Sequence, residues 1–459
     1  MADEPEPNTI DFIPAICFVK RGVAKEKPDK VVLTPAELAR VIADTKEEID
    51  EAEEEDGNDS DDNENEAMET SDNENNEINL SAPRPHNEGD EFNMDNYDDD
   101  DSVQVAGLST IAVVDENERL EDEEDSEAED DIIKPTDNLL LLGHVADDSS
   151  TMEVWVFNEE EESLYPHHDF LLPSFPLCIE WLNHDPGSDK DGNMCAIGCM
   201  DPIITIWDLD IQDSFEPTFR LGSKGSRKKN KPKYGHIDAV LDLSWNINFP
   251  HVLASASVDQ SVILWDLDEG QPHTTIKSFE EKVQSIEFHP TEPQNLLAGS
   301  CDGYVRLFDC RDPESECKKW KVEAEVEKVV WNPMNTSFVM AGTNDGNVHY
   351  IDIRKKKPLW SVKAHLDEIS GICFNPEAKN MLITSSADGF CKIWKYSESE
   401  LKQIYSHDFK LGRLQCMKQS PEDPFTFAFG GEKQSQPFKV YNIKNFEPVR
   451  FAFGIDSEQ

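Results

Sequence analysis

An all-β propeller is predicted by three residue columns that share one spacing. Asp259, Asp302, Asp345 and Asp388 stand 43 residues apart. Trp265, Phe308, Ile351 and Trp394 follow six residues behind each, and Trp245, Phe288, Trp331 and Phe374 repeat the same 43-residue step upstream. A period of about 40–45 residues with a closing Trp-Asp is the mark of a β-propeller. Such a molecule is a binding platform before it is anything else.

One repeat, residues 240–268, divides into three short strands: Val240–Trp245, alternating apolar and polar; Val252–Ser257, small and apolar; and Ser261–Leu267, which ends in Trp-Asp. A fourth strand is expected around Thr274–Phe279. Asp259 falls in the tight turn before the third strand, where a short carboxylate accepts local hydrogen bonds. A four-stranded sheet of this kind has a hydrophobic face it cannot cover alone, so neighbours must stack radially. The closing position recurs at Phe157, Trp207, Trp265, Phe308, Ile351, Trp394 and Tyr441, which predicts a seven-bladed ring. His236 with Ser255, Asp259 and Trp265, and His365 with Thr384, Asp388 and Trp394, resemble the structural hydrogen-bond tetrad of WD-repeat proteins. With Asp302 and Asp345 they are assigned to the scaffold and not to chemistry.

The first blade is irregular. Residues 139–158 supply a second and third strand, but an acidic tract precedes them. Ile16-Cys17-Phe18 matches Ile372-Cys373-Phe374 of a regular first strand, so residues 13–20 are expected as the innermost strand of blade one. The organisation expected is an N-terminal strand in 1–22, an acidic disordered insertion over 23–135 with a short helix at 35–48, and the propeller over 136–459. Loop-closure entropy grows slowly with length, so the insertion costs on the order of 3 kcal/mol against a short turn. An outer strand near Pro448–Phe453 is expected to complete the last blade, with the ring closing by blade-on-blade packing.

The chain of 459 residues is long enough to bury a large core without disulfides or metals. Its net charge is −54, and residues 44–131 hold 38 Asp and Glu against three basic residues. A tract of that composition cannot bury enough apolar surface to offset its ordering entropy. The N-terminal residues show no signal-peptide pattern, and no apolar run is long enough for a transmembrane helix. Ten scattered cysteines, several inside strand patterns, fit a reduced intracellular protein.

Four features lie outside the ring pattern. Thr34-Pro35-Ala36-Glu37 is a capping box with Pro at the first helical position, and Leu33 and Leu38 are spaced for a staple. Ser71 and Ser126 each precede an acidic residue three positions on, the pattern of acidophilic kinases, where phosphate would add to negative charge already present. Phe92, Met94 and Tyr97 are apolar anchors in a polar stretch and read as a short linear motif. Residues 220–233 are opposite in sign: Arg220, Lys224, Arg227, Lys228, Lys229, Lys231 and Lys233 form a basic loop that reads as a nuclear-localisation signal or a nucleic-acid contact. Arg354 to Lys357 are read as a solvated turn.

No phosphate-binding loop, matched cysteine pairs or catalytic constellation can be assembled. Gly222-Ser223-Lys224-Gly225-Ser226 lacks the spacing of a phosphate loop, and Cys195 and Cys199 lack a second pair for zinc. The expectation is no enzyme, no cofactor and no small-molecule substrate.

The N-terminal IPAICFVKRGVAK, the motif EFNMDNYDDDD, the passage HHDFLLPSFPLCIEWL at 167–182 and the repeats after it resemble the periodic tryptophan protein 1 family of eukaryotic WD-repeat proteins. The likeness runs along nearly the whole chain, and in the acidic tract it is one of character only. Ile351 in place of an aromatic, and Trp394-Lys395 in place of Trp-Asp, depart from repeat regularity. The resemblance implies a nuclear and nucleolar protein supporting ribosome biogenesis, through ribosomal-RNA synthesis and large-subunit maturation, with association to chromatin through histone tails. Two functions are therefore expected: an assembly platform that binds basic proteins and pre-ribosomal particles, or a reader of modified histone tails using an aromatic pocket. Ribosomal RNA is a further candidate partner for the basic loop; no membrane partner is expected.

Overall fold

The computed structural model describes residues 10–31, 39–40, 132–147, 149–187, 191–225, 232–313, 315–434 and 436–455. Seven small antiparallel sheets follow one another along the chain and form a seven-bladed β-propeller. Six have four strands each; in blade three they are Val240–Trp245, Val252–Ser257, Val262–Asp266 and Gln271–Ile276. The first strand of every blade touches the first strand of the next, so these strands surround the axis.

The second strands show why the blades cannot stand alone. Met194–Cys199, Phe338–Thr343, Met381–Ser386 and Thr426–Gly431 are buried along their whole length, because each faces a neighbouring blade on both sides. Continuous runs of small and apolar residues are what such positions require. Contact is close where a first-strand Val or Ile enters the preceding blade: a Cβ on Gly299 would lie 2.4 Å from Val326 Cγ1, and one on Gly342 would lie 2.6 Å from Ile369 Cγ2. The same first strands carry a register shift just after those residues, at Val240/Asp242, Val283/Ser285, Val326/Lys328 and Ile369/Gly371. A bulge there re-aims the rest of the strand.

Blade one is assembled from distant parts of the chain. Asp11–Phe18 pairs with Asn138–Ala146, followed by Ser149–Asn158 and Ser163–Leu171. Ile16, Cys17 and Phe18 pair with Leu142, Leu141 and Leu140, as Ile372, Cys373 and Phe374 pair with Thr384, Ile383 and Leu382 in blade six. The strand also touches Leu414–Gln419 of blade seven, and Ile13, Ile16, Phe18, Leu140 and Leu142 share a core with Ala428. The ring thus closes by packing.

Two differences from the sequence expectations stand out. The segment near Pro448–Phe453 is not an outer strand but part of an α-helix, Glu447–Phe453, so blade seven ends at three strands, Leu414–Gln419, Thr426–Gly431 and Phe438–Asn442. Pro448 lies in the first turn, where its missing N–H costs nothing, and Gly454 caps the other end at φ 66°. Phe446 and Val449, three residues apart, are both buried in the core shared by blades six and seven, a helical spacing that an alternating strand cannot satisfy. Residues 23–31, assigned to the insertion, lie on the propeller: Asp29–Lys30 pairs in parallel with Ile211–Gln212, and Ile133 N donates to Glu26 O at 2.9 Å. Of the helix expected at 35–48, Ala39 and Arg40 are helical and the rest lies outside the described residues.

Ile13 is fully buried at the closure between blades seven and one. Ile13→Ala should lower unfolding free energy by about 2–5 kcal/mol, measured by denaturant melts, whereas the exposed Ile10 should tolerate alanine within about 0.5 kcal/mol.

Candidate functional site

Blades three and six carry the same four-residue relay. Trp265 Nε1 donates to Ser255 Oγ at 2.8 Å, Ser255 Oγ lies 2.7 Å from His236 Nε2, and His236 Nδ1 lies 2.9 Å from Asp259 Oδ2. Trp394, Thr384, His365 and Asp388 repeat it at 2.8, 2.8 and 3.0 Å. A neutral histidine donating from Nδ1 and accepting at Nε2 satisfies every member. Burial holds His365 below its ordinary value. Burial would raise the Asp259 carboxyl, but the hydrogen bonds it accepts from His236, the Ser261 hydroxyl and the Ile237 N–H outweigh it, leaving about 2. Asp388 is held low in the same manner. These groups are committed to one another.

Asp302 and Asp345 keep different company. Phe279 and Val322 occupy the 43-residue positions where the histidines stand. In blade four the buried Arg306 takes over, donating to Ser300 Oγ at 2.7 Å and to Asp302 Oδ2 at 2.6 Å. In blade five Asp345 accepts from Thr343 Oγ1, and the buried His349 bonds Ser361 Oγ at 2.7 Å. Sequence reasoning missed Arg306 and His349. The available signal was a polar column, Arg306, His349 and Lys392, at one 43-residue register inside apolar strands.

Around the axis, side chains of one first strand cap backbone N–H groups of the next. Glu180 accepts from Trp245 N at 3.4 Å, Asp242 from Ile286 N at 2.9 Å, Ser244 from Phe288 N at 3.0 Å, Ser285 from Val329 N at 3.3 Å and Glu287 from Trp331 N at 2.6 Å. An open strand edge requires such partners. Lys418 reaches Glu180 at 3.4 Å. Burial pushes the Glu287 carboxyl up to about 8, against the Trp331 N–H and Lys418 and aided by Asp242 and Glu180. Burial likewise pushes Cys17 up to about 11 and Cys373 and Cys416 up to about 12, which keeps these thiols protonated.

The basic loop leaves the ring from a closed stem. Ser223 and Tyr234 exchange backbone hydrogen bonds at 2.8 and 3.1 Å. Arg220 lies in the outer strand of blade two, Phe219–Leu221, while Lys224 pairs with Asp201 at 2.5 Å and Lys233 is exposed. Arg227, Lys228, Lys229 and Lys231 lie outside the described residues, as do Phe92, Met94, Tyr97, Ser71 and Ser126. Directly after the two relay histidines, Ile237 and Leu366 are 67% and 85% exposed.

The profile of the family described as "Nucleolar protein 10-like, N-terminal domain" matches residues 239–438. "Periodic tryptophan protein 1 homolog" of Drosophila melanogaster is 59% identical over 99% of this chain and 99% of its own length. "Periodic tryptophan protein 1" of Saccharomyces cerevisiae is 31% identical over 97% of this chain and 90% of its own. A chain in the solved structure "Crystal Structure of Mitotic Checkpoint Complex" superposes with a TM-score of 0.53 at 18% identity, covering 66% of this chain and 84% of that one, a likeness of fold alone.

Two pH effects follow. Asp259 has a depressed carboxyl, so its contribution is present above its ordinary value near 3.8 and fades as pH falls toward about 2. Asp259→Asn should therefore cost about 2 kcal/mol at neutral pH, with the gap to wild type closing below about pH 4 in denaturant melts. Glu287 has the opposite sign: its penalty grows as pH rises from its ordinary value toward about 8. Glu287→Gln, which keeps an acceptor for Trp331 N–H, should raise the melting temperature more at pH 9 than at pH 5; an equal gain would refute the assignment.

Proposed function

The chain belongs to the periodic tryptophan protein 1 family, and from that premise we propose that it is a non-catalytic WD-repeat platform for ribosome biogenesis in the nucleus and nucleolus. The observation that carries this reading is family membership along nearly the full length, with 59% identity over 99% of the chain. Charge supports it. Residues 44–131 place 38 acidic side chains against three basic ones, suited to basic ribosomal proteins, and residues 220–233 offer seven basic side chains to an RNA backbone. The interior argues in the same direction, since the polar groups described above are engaged in holding blades together. Rims and loops are then what a partner meets.

The platform would hold large-subunit precursors through the two charged segments acting together. Recovery of those precursors from nuclear extract by the full chain should fall when residues 44–131 are deleted and again when Arg227, Lys228, Lys229 and Lys231 are changed to serine. It should also fall on raising salt from about 50 to about 300 mM, because phosphate contacts release counterions. Undiminished recovery by both variants at both salt levels would overturn the charged-platform reading.

A further inference from the structure

The strand that closes the ring, Asp11–Phe18, is broken near its N-terminal end. Its ladder to Asn138–Ala146 shifts register between Phe12 and Ala15, where Pro14 has no N–H to give. Before that break Asp11 and Phe12 pair with Ala146 and Val145. Asp147 N donates to Ile10 O at 2.8 Å, and Ile10 N donates to Asp147 Oδ1 at 3.1 Å. What else holds this end to the blade is His144, which stands on the second strand between Asp11 of the first and Glu153 of the third.

Both ring nitrogens of His144 face carboxylates. Nδ1 lies 2.6 Å from Glu153 Oε1, and Nε2 lies 3.0 Å from Asp11 Oδ1. A carboxylate accepts and cannot donate, while a neutral imidazole carries one N–H. Satisfying both sides takes the imidazolium, unlike the relay histidines of blades three and six. The Glu153 bond, joined by the Asp11 bond, holds the imidazole above its ordinary value against burial. Burial would raise Glu153, but the bonds it accepts from His144 and from Trp155 Nε1, the latter at 2.7 Å, hold it below its usual value. Asp169 of the fourth strand adds negative charge beside Glu153. From blade seven the approach is uncharged: Phe438 meets the Trp155 ring edge-on at 4.8 Å. Each member of the His144 trio is 22% exposed, so protons reach it from solvent.

We propose that His144 is a proton-operated latch on the closing strand: its imidazolium joins Asp11 to Glu153 and so holds residues 11–18 in the seam between blades one and seven. Loss of the proton leaves one carboxylate facing a bare nitrogen, with no cation between Asp11 and Glu153 to offset their repulsion. The latch is fully engaged below the ordinary histidine value of 6.5 and is lost as pH rises through the higher folded-state value. Between those limits the closed strand holds one proton more than the opened one. Opening then becomes more frequent by up to about tenfold per pH unit. Such an opening is local, because the remaining blades keep their own contacts. This inference goes beyond the platform reading and does not depend on it.

The test is amide hydrogen exchange of the full chain, followed by mass spectrometry between about pH 6 and 9 and corrected for intrinsic rates. Peptides covering residues 11–18 should lose at least about threefold in protection across that range. Those covering Val283–Phe288 of blade four should hold theirs. His144→Gln donates from one side and takes up no proton, so it should show the weakened protection already at the acid end, with no further loss. Asp11→Asn removes one carboxylate and leaves the imidazole, and should move the loss to lower pH. That variant keeps the test decisive should His144→Gln fail to fold. Equal protection of residues 11–18 at both ends of the range, or the same pH slope in His144→Gln, would overturn the proposal. So would a parallel loss at Val283–Phe288, which would assign the proton to unfolding of the whole ring.

Discussion

Burial of both faces of every blade is the condition on which the structure rests. Second strands such as Phe338–Thr343 and Met381–Ser386 expose nothing, so a blade removed from the ring would present two apolar faces to water. The contact is geometrically strict, with first-strand Val326 and Ile369 seated where Gly299 and Gly342 leave no side chain. It is also polar at the axis, where residues 44 positions apart join one blade's side chain to the next blade's backbone, as Asp242 does with Ile286. Closure then requires Asp11–Phe18, because Ile13 and Ile16 fill the seam against blade seven. A chain that diverts about 120 residues between two strands of one sheet can do so because these contacts, not chain continuity, hold the blade.

That economy shapes function. Histidines and carboxylates that would suggest chemistry in another fold are here engaged in relays and edge caps, with His236, Asp259 and Ser255 in mutual contact. Capacity for partners lies instead where the scaffold ends: the loop rising from the Ser223–Tyr234 stem, and exposed Ile237 and Leu366 beside the relays. These places differ in sign and shape, which suits a platform meeting several partners at once.

The 43-residue columns made the propeller and its seven blades legible, because stacked repeats must reproduce the same buried positions. The columns also held Arg306 and His349, which escape notice when only the Asp and Trp positions are followed. The terminal helix was misread as a strand since Val449, Phe451 and Phe453 alternate with other residues; the decisive spacing was Phe446 to Val449, bracketed by Pro448 and Gly454. That blade seven has three strands among the described residues has no single-residue signal: the segment following the third strand became a helix, and tertiary packing overrides local preference there.

The platform account is tested most directly by sedimenting a nuclear extract on a density gradient with and without prior digestion of the DNA. The account predicts that this protein travels with large-subunit precursors in both cases. Its release from those fractions by the digestion, leaving none on the precursors, would contradict the account and place the protein on chromatin.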